Sequence, residues 1–142
     1  MPKSILIVED DVSDIRWYRS LFNQQREVSL LFYNRNKNYS RENFLEILEL
    51  FYEDLFKEIK NIYIQKDESI GEFLKINSFD FYIFDSLGGF AESLILNSGL
   101  PKDKVAILSK TVSFRGLMEN NGYRVYKKED IDLLIKGFRS EM

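Results

Sequence analysis

The sequence predicts a parallel α/β sheet covered by helices on both faces, and three observations predict it. Short apolar runs alternate along the chain with segments whose apolar residues recur at helical spacing. The runs are continuous, as strands buried on both faces are. Several of them stop abruptly at a polar residue, most sharply where Phe81-Tyr82-Ile83-Phe84 meets Asp85 and then Ser86-Leu87-Gly88-Gly89. In an open parallel sheet, that carboxyl edge is where ligands bind.

The elements follow in order. Ser4-Ile5-Leu6-Ile7-Val8 is a buried strand ending in Glu9-Asp10-Asp11. A helix is expected over 14–25 from the spacing of Ile15, Tyr18, Leu21 and Phe22, with Asp11 or Ser13 as its cap. Glu27 to Tyr33 reads as a strand and 34–39 as a polar loop. Ser40 is placed to cap a long helix over 41–60, striped by Phe44, Ile47, Leu48, Phe51, Leu55, Phe56 and Ile59. Ile62-Tyr63-Ile64 is a short strand, 68–76 a short helix and 79–85 the strand that delivers Asp85. A helix over 89–96, a strand over 104–108 and a helix over 114–120 follow, the last stopped by Gly122. The strand 123–126 ends in Lys127-Lys128, and a helix over 129–139 closes the chain. No repeat or linker interrupts this order, so 1–142 is expected to be one domain.

Composition narrows the chemistry. The chain has 142 residues, 44% hydrophobic and 30% charged, with a net charge of −3. That profile suits a soluble globular domain and does not favour direct nucleic-acid binding. No apolar run is long enough to span a bilayer, and the N-terminus lacks the layout of a signal peptide, so the expected location is the cytoplasm. Cys and His are both absent. Thiolate nucleophiles, Cys-ligated zinc and histidine bases are therefore excluded, and a bound metal would be a hard cation on oxygen ligands.

The strand ends bring Glu9, Asp10, Asp85, Ser109 and Lys127 to one edge. Three clustered carboxylates repel; a pair of unit charges ~4 Å apart costs about 4 kcal/mol at an effective dielectric near 20. A divalent cation such as Mg²⁺ or Mn²⁺ relieves that repulsion and favours an incoming phosphoryl group. One carboxylate can then attack phosphorus, with a hydroxyl and an ammonium on the new phosphate oxygens.

Ile5-Leu6-Ile7-Val8-Glu9-Asp10-Asp11, Asp85 after its apolar strand, Ser109 after Ile107-Leu108, and Lys127 after the last strand resemble the receiver domain of two-component response regulators. The resemblance implies a flavodoxin-like three-layer α/β/α fold with sheet order 2-1-3-4-5. It implies that Asp85 accepts a phosphoryl group from a sensor histidine kinase or a phosphotransfer protein. Asp10 and Asp85 would hold the metal directly, Glu9 mostly through water, and the backbone carbonyl of Leu87 would be a further ligand. Ser109 and Lys127 would hold the phosphoryl group; neighbours alternate across a strand, so the sequence leaves open whether Lys127 or Lys128 faces the site. Arg124 occupies the family's aromatic switch position, three before the lysine, flanked by Tyr123 and Tyr126.

The chain departs from the family in several places. The interval between Asp10 and Asp85 is longer, and the extra material is assigned to 27–60, an inserted strand and the long helix; Ile62–Ile64 is taken as the second strand. The proline usual after the acceptor is missing, and Lys128 replaces the one after the lysine. Lys110 stands where a small residue is usual and could block the pocket or replace a metal. The helix over 41–60 must cover the added strand or a partner, a second copy included. With no output domain read after the last helix, a stand-alone receiver signalling through a downstream protein is the leading expectation. The rival is a degenerate receiver that binds partners without phosphorylation. A phosphotransfer enzyme of another class fits less well. Leu87 stands where a haloacid-dehalogenase-like enzyme needs a second acid, and no P-loop is present. Taken singly, each motif has a plainer reading: helix-start acids, a turn serine, solvated lysines.

Overall fold

The computed structural model describes residues 3–23, 25–36 and 38–138. Its strands are β1 (Lys3–Glu9), β2 (Arg26–Tyr33), β3 (Ile62–Gln65), β4 (Phe81–Phe84), β5 (Val105–Leu108) and β6 (Arg124–Tyr126). Every pairing among them is parallel, in the order β3-β2-β1-β4-β5-β6. The α-helices are α1 (Arg41–Phe51), α2 (Glu53–Phe56), α3 (Asp67–Ile76), α4 (Phe90–Ser98), α5 (Val112–Asn120) and α6 (Ile131–Gly137).

Alternation along the strands sorts the core into two layers. Ile5, Ile7, Val28, Leu30, Phe32, Phe81 and Ile83 face a 3-10 helix (Val12–Leu21), α1, α2 and α6. Leu6, Val8, Leu31, Tyr33, Tyr82, Phe84 and Ile107 face α3, α4 and α5. The three-layer α/β class expected from sequence is therefore present.

The expected strand order is not. The segment 26–33 is the neighbour of β1, paired over seven residues from Lys3↔Arg26 to Glu9↔Phe32, and β3 lies outside it. The assignment of Ile62–Ile64 as the strand beside β1 is thus corrected. Burial explains the choice: Val28 to Tyr33 are all buried, whereas β3 is half-buried throughout. A run such as Leu30-Leu31-Phe32-Tyr33 can be covered on both faces only away from an edge.

Two helices differ from expectation as well. The segment after β1 is a 3-10 helix, with Ile15, Tyr18 and Leu21 inward. Their spacing of three residues matches its three residues per turn. Asp11 caps it, its carboxylate accepting from the Ser13 N–H and hydroxyl. The long helix over 41–60 begins at Ser40 as expected, with the hydroxyl accepting from the Asn43 N–H, but breaks at Tyr52 (φ −135°, ψ 41°). Phe44, Leu48 and Leu55 are buried across the break, while Phe51 is 71% exposed and leaves the inward stripe. The last helix ends within the described residues at Gly137; its expected end at Arg139 lies outside them.

On the edge strand, Asn61 and Gln65 carbonyls accept from β2-side N–H groups at Leu30 and Asn34. The alternate carbonyl of Ile62 therefore points outward. The Arg41 guanidinium donates to it at 3.1 Å.

Because Phe44 is fully buried and stacks on Phe32 at 4.2 Å between ring centroids, Phe44→Ala is expected to cost about 3–5 kcal/mol. Phe51→Ser is expected to stay within about 0.5 kcal/mol. Urea unfolding midpoints at unchanged m-value check both.

Candidate functional site

The register fixes where the acids meet. Val8 pairs with Phe84, so the next residues, Glu9 and Asp85, lie side by side at the carboxyl edge. Both continue the face defined by Ile7 and Ile83. The Asp85 N–H donates to the Val8 carbonyl at 3.0 Å, locking the end of β4 to β1. Glu9, Asp10 and Asp85 each offer a carboxylate oxygen within 4.8 Å of the others.

The lysine at this cluster is Lys128, not Lys127. Lys127 is exposed, whereas Lys128 is fully buried. Its ammonium is paired with Glu9 and lies 3.1 Å from Asp85 Oδ1 and 3.4 Å from Asp14 Oδ2. Tyr126 packs on the face of the sheet that carries Glu9, and Val125 on the other. Alternation then gives Lys128 the Tyr126 side.

Glu9 has both oxygens engaged. Oε1 accepts from the Tyr18 hydroxyl at 2.8 Å and from Lys128. Oε2 accepts from the Asp10 and Asp11 N–H groups at 3.1 and 3.2 Å. Burial and then the Asp85 charge push Glu9 up to about 8, against the pull of Lys128. Burial and Asp85 likewise push Asp10 up to about 6, against Arg35. Burial alone would lower Lys128, but Glu9 and Asp85 outweigh it and hold its ammonium above the ordinary value. Burial first, then Glu9, raises the Tyr18 phenol well above its ordinary value.

Two further cations reach the cluster. Lys110 Nζ lies 2.6 Å from Asp14 Oδ1, so its charge is directed to Asp14. Arg35, in the loop after β2, lies with Nη2 3.4 Å from Asp10 Oδ2. Four carboxylates (Glu9, Asp10, Asp14, Asp85) thus meet three cations (Lys128, Lys110, Arg35).

The loop after Asp85 is shaped for the site. Leu87 has φ 52°, the one non-glycine residue with positive φ among those described, and Gly88 and Gly89 continue at 65° and 94°. A left-handed conformation costs a branched residue about 1–2 kcal/mol. Leu87 is held there by a fully buried side chain and by its N–H, which donates to Asp85 Oδ2 at 2.9 Å. Such strain points towards function.

The remaining expected residues have these contacts. Ser109 is buried at the end of β5, where its Oγ accepts from the Thr111 N–H at 3.1 Å. Tyr123 is buried beneath the Lys102 ammonium. Arg124 is exposed, its guanidinium 4.2 Å from the Phe138 ring centre and bonded to the Gly137 carbonyl. Tyr126 packs edge-on to Phe138. Sequence reasoning missed Asp14, Tyr18 and Arg35. The first two lie four residues apart on the segment that directly follows the acids, a usable signal; Arg35 sits in a polar loop that offers none.

The donor set suits a hard cation. Glu9 is saturated by its four donors, which leaves Asp10 and Asp85 as carboxylates with free lone pairs. The guanidinium and ammonium already lying on these oxygens show that the cluster accepts positive charge. No family model matches this sequence, and no curated protein is significantly similar to it. No helix among the described residues is long and apolar enough to cross a membrane.

Lys128→Met removes the partner of buried carboxylates and is expected to cost about 3–5 kcal/mol in urea unfolding. The folded chain holds the Glu9 proton from its ordinary 4.5 up to about 8. Stability from this group is therefore complete at low pH and is lost as pH rises through that window. Unfolding midpoints in chelator-containing buffer should fall from about pH 5 to about pH 8, and Glu9→Gln should flatten the fall.

Proposed function

We propose that this chain is an atypical receiver: a signalling domain that accepts a phosphoryl group on Asp85. The observation that carries the reading is the meeting of Asp85 with Glu9 and Asp10 from β1 and a buried lysine from beyond β6, at the carboxyl edge of a parallel sheet. If β3 is set aside as the added strand, the remaining order of the sheet is the receiver order 2-1-3-4-5. The insertion is then α1, α2 and β3 rather than 27–60.

In this reading an Asp85 carboxylate oxygen attacks the phosphorus of a phosphohistidine on a sensor kinase or phosphotransfer protein. The O–P bond forms as the P–N bond breaks, and the imidazole leaves with the bonding pair. Asp10 and Asp85 would hold a divalent cation such as Mg²⁺; Glu9, its oxygens already taken by four donors, would stand behind them, and the Leu87 carbonyl, which accepts from the Phe90 N–H, would add a ligand through its remaining lone pair. When bound, that ion supplies positive charge for the phosphoryl oxygens. Lys128 takes the role expected of Lys127: it already lies against Asp85 and offers its charge to a transferred phosphoryl group. Ser109 stands at the neighbouring strand end as the hydroxyl donor. Counting three back from Lys128 moves the switch position from Arg124 to Val125. Output would run through contact with a downstream protein or a second copy, and the exposed Leu50 and Phe51 of α1 are among the apolar side chains available for it.

One feature favours the rival reading, a receiver-like module that binds partners without phosphorylation. Lys128, Arg35 and Lys110 already balance most of the acid charge without a metal.

Incubation with acetyl phosphate and Mg²⁺ separates the two. The phosphoacceptor reading expects intact-mass spectra to show one added phosphoryl group in the wild type and none in Asp85→Ala. An unmodified wild type, or equal modification of both, would overturn it in favour of the unphosphorylated module.

A further inference from the structure

We propose that Arg35 is a built-in counter-ion for Asp10, one that a divalent cation must displace to load the acid cluster. The inference rests on reading that cluster as a cation-assisted phosphoacceptor site.

Asp10 is the carboxylate of the cluster with the fewest protein partners. Glu9 is saturated, and Asp85 is held by Lys128 on Oδ1 and by the Leu87 N–H on Oδ2. The cation lying on Asp10 is the Arg35 guanidinium, 3.4 Å from Oδ2. A bound ion and this guanidinium would crowd two like charges onto one carboxylate.

Gly88, in the loop after Asp85, makes room for the arginine. A Cβ built on Gly88 would lie 1.6 Å from Arg35 Nη1, and Gly88 has φ +65°. The guanidinium therefore lies directly against the backbone of the loop that follows Asp85. It bridges that loop to Asp10 across the mouth of the site.

The arginine is anchored at its base, and its side chain is half-exposed. The preceding Asn34 is buried, with its amide donating to the Tyr39 carbonyl at 2.7 Å, and the Arg35 N–H donates to the Tyr33 carbonyl at 2.9 Å. The Arg35 side chain is 45% exposed. It can leave Asp10 by rotating about its own side-chain bonds, with the backbone in place.

Mn²⁺ titration of the full chain, followed by the EPR signal of the free ion, tests this. Wild type, Arg35→Ala and Asp10→Asn are compared at low ionic strength. Arg35→Ala is expected to bind Mn²⁺ about 3- to 10-fold more tightly than wild type, and Asp10→Asn to lose binding. A second readout is the Arg35 side-chain Nε–H resonance, which should shift during Mg²⁺ titration and stay fixed in Asp10→Asn. Equal or weaker Mn²⁺ affinity in Arg35→Ala, beside a wild type that binds, overturns the role of Arg35 and leaves the phosphoacceptor reading standing. Absence of Mn²⁺ binding in both overturns the two together.

Discussion

A single ammonium group holds the carboxyl edge of this sheet together. Lys128 is fully buried, and an unpaired charge there would cost several kcal/mol, so its position is dictated by the carboxylates that surround it. Those carboxylates come from three places: Glu9 from the end of β1, Asp85 from the end of β4, and Asp14 from the 3-10 helix. The lysine itself arrives from beyond β6, two strands away from β4. Meeting the demand of one charge thus requires three distant stretches of chain, 9–14, 85 and 128, to close correctly. Tyr18, roofing Glu9 from the 3-10 helix, extends the same constraint into the apolar layer.

Around that fixed centre the outer groups are looser. Arg35 and Lys110 are both about half exposed and reach in from loops on opposite sides. The acid cluster is therefore rigid where it is buried and adjustable where it meets solvent. The strained Leu87 backbone belongs to the rigid part: its N–H orients Asp85, and its buried side chain anchors the loop in the layer beneath α4 and α5.

Much of this was legible in the sequence, for a definite reason. Strand parity is periodic, so Ile5, Ile7 and Glu9 must share a face, as must Phe81, Ile83 and Asp85. The acid cluster follows from that parity once the two strands are neighbours. The same rule does not separate Lys127 from Lys128 until the structure places Tyr126 on the face of Glu9, from which the count gives Lys128. What the sequence hid was relational. Both 27–33 and 62–64 read as apolar strands; only their competition for the doubly covered place beside β1 orders them. The 3-10 form of the segment after β1 is visible in the spacing of Ile15, Tyr18 and Leu21, but Phe22 adds a fourth apolar residue and makes an α-helix equally plausible. The break at Tyr52 carries no glycine or proline to announce it. Arg35 comes to Asp10 only because of how a polar loop folds back.

The edge of the sheet has a consequence for how the chain behaves in company. An outermost strand presents unpaired backbone groups and invites pairing with another chain. Here the outward carbonyl of Ile62 is already occupied by Arg41, the first residue of the helix that crosses over to make that strand. The crossover supplies the outermost strand and also sets a positive charge on one of its outward carbonyls, which disfavours runaway strand-to-strand stacking between molecules.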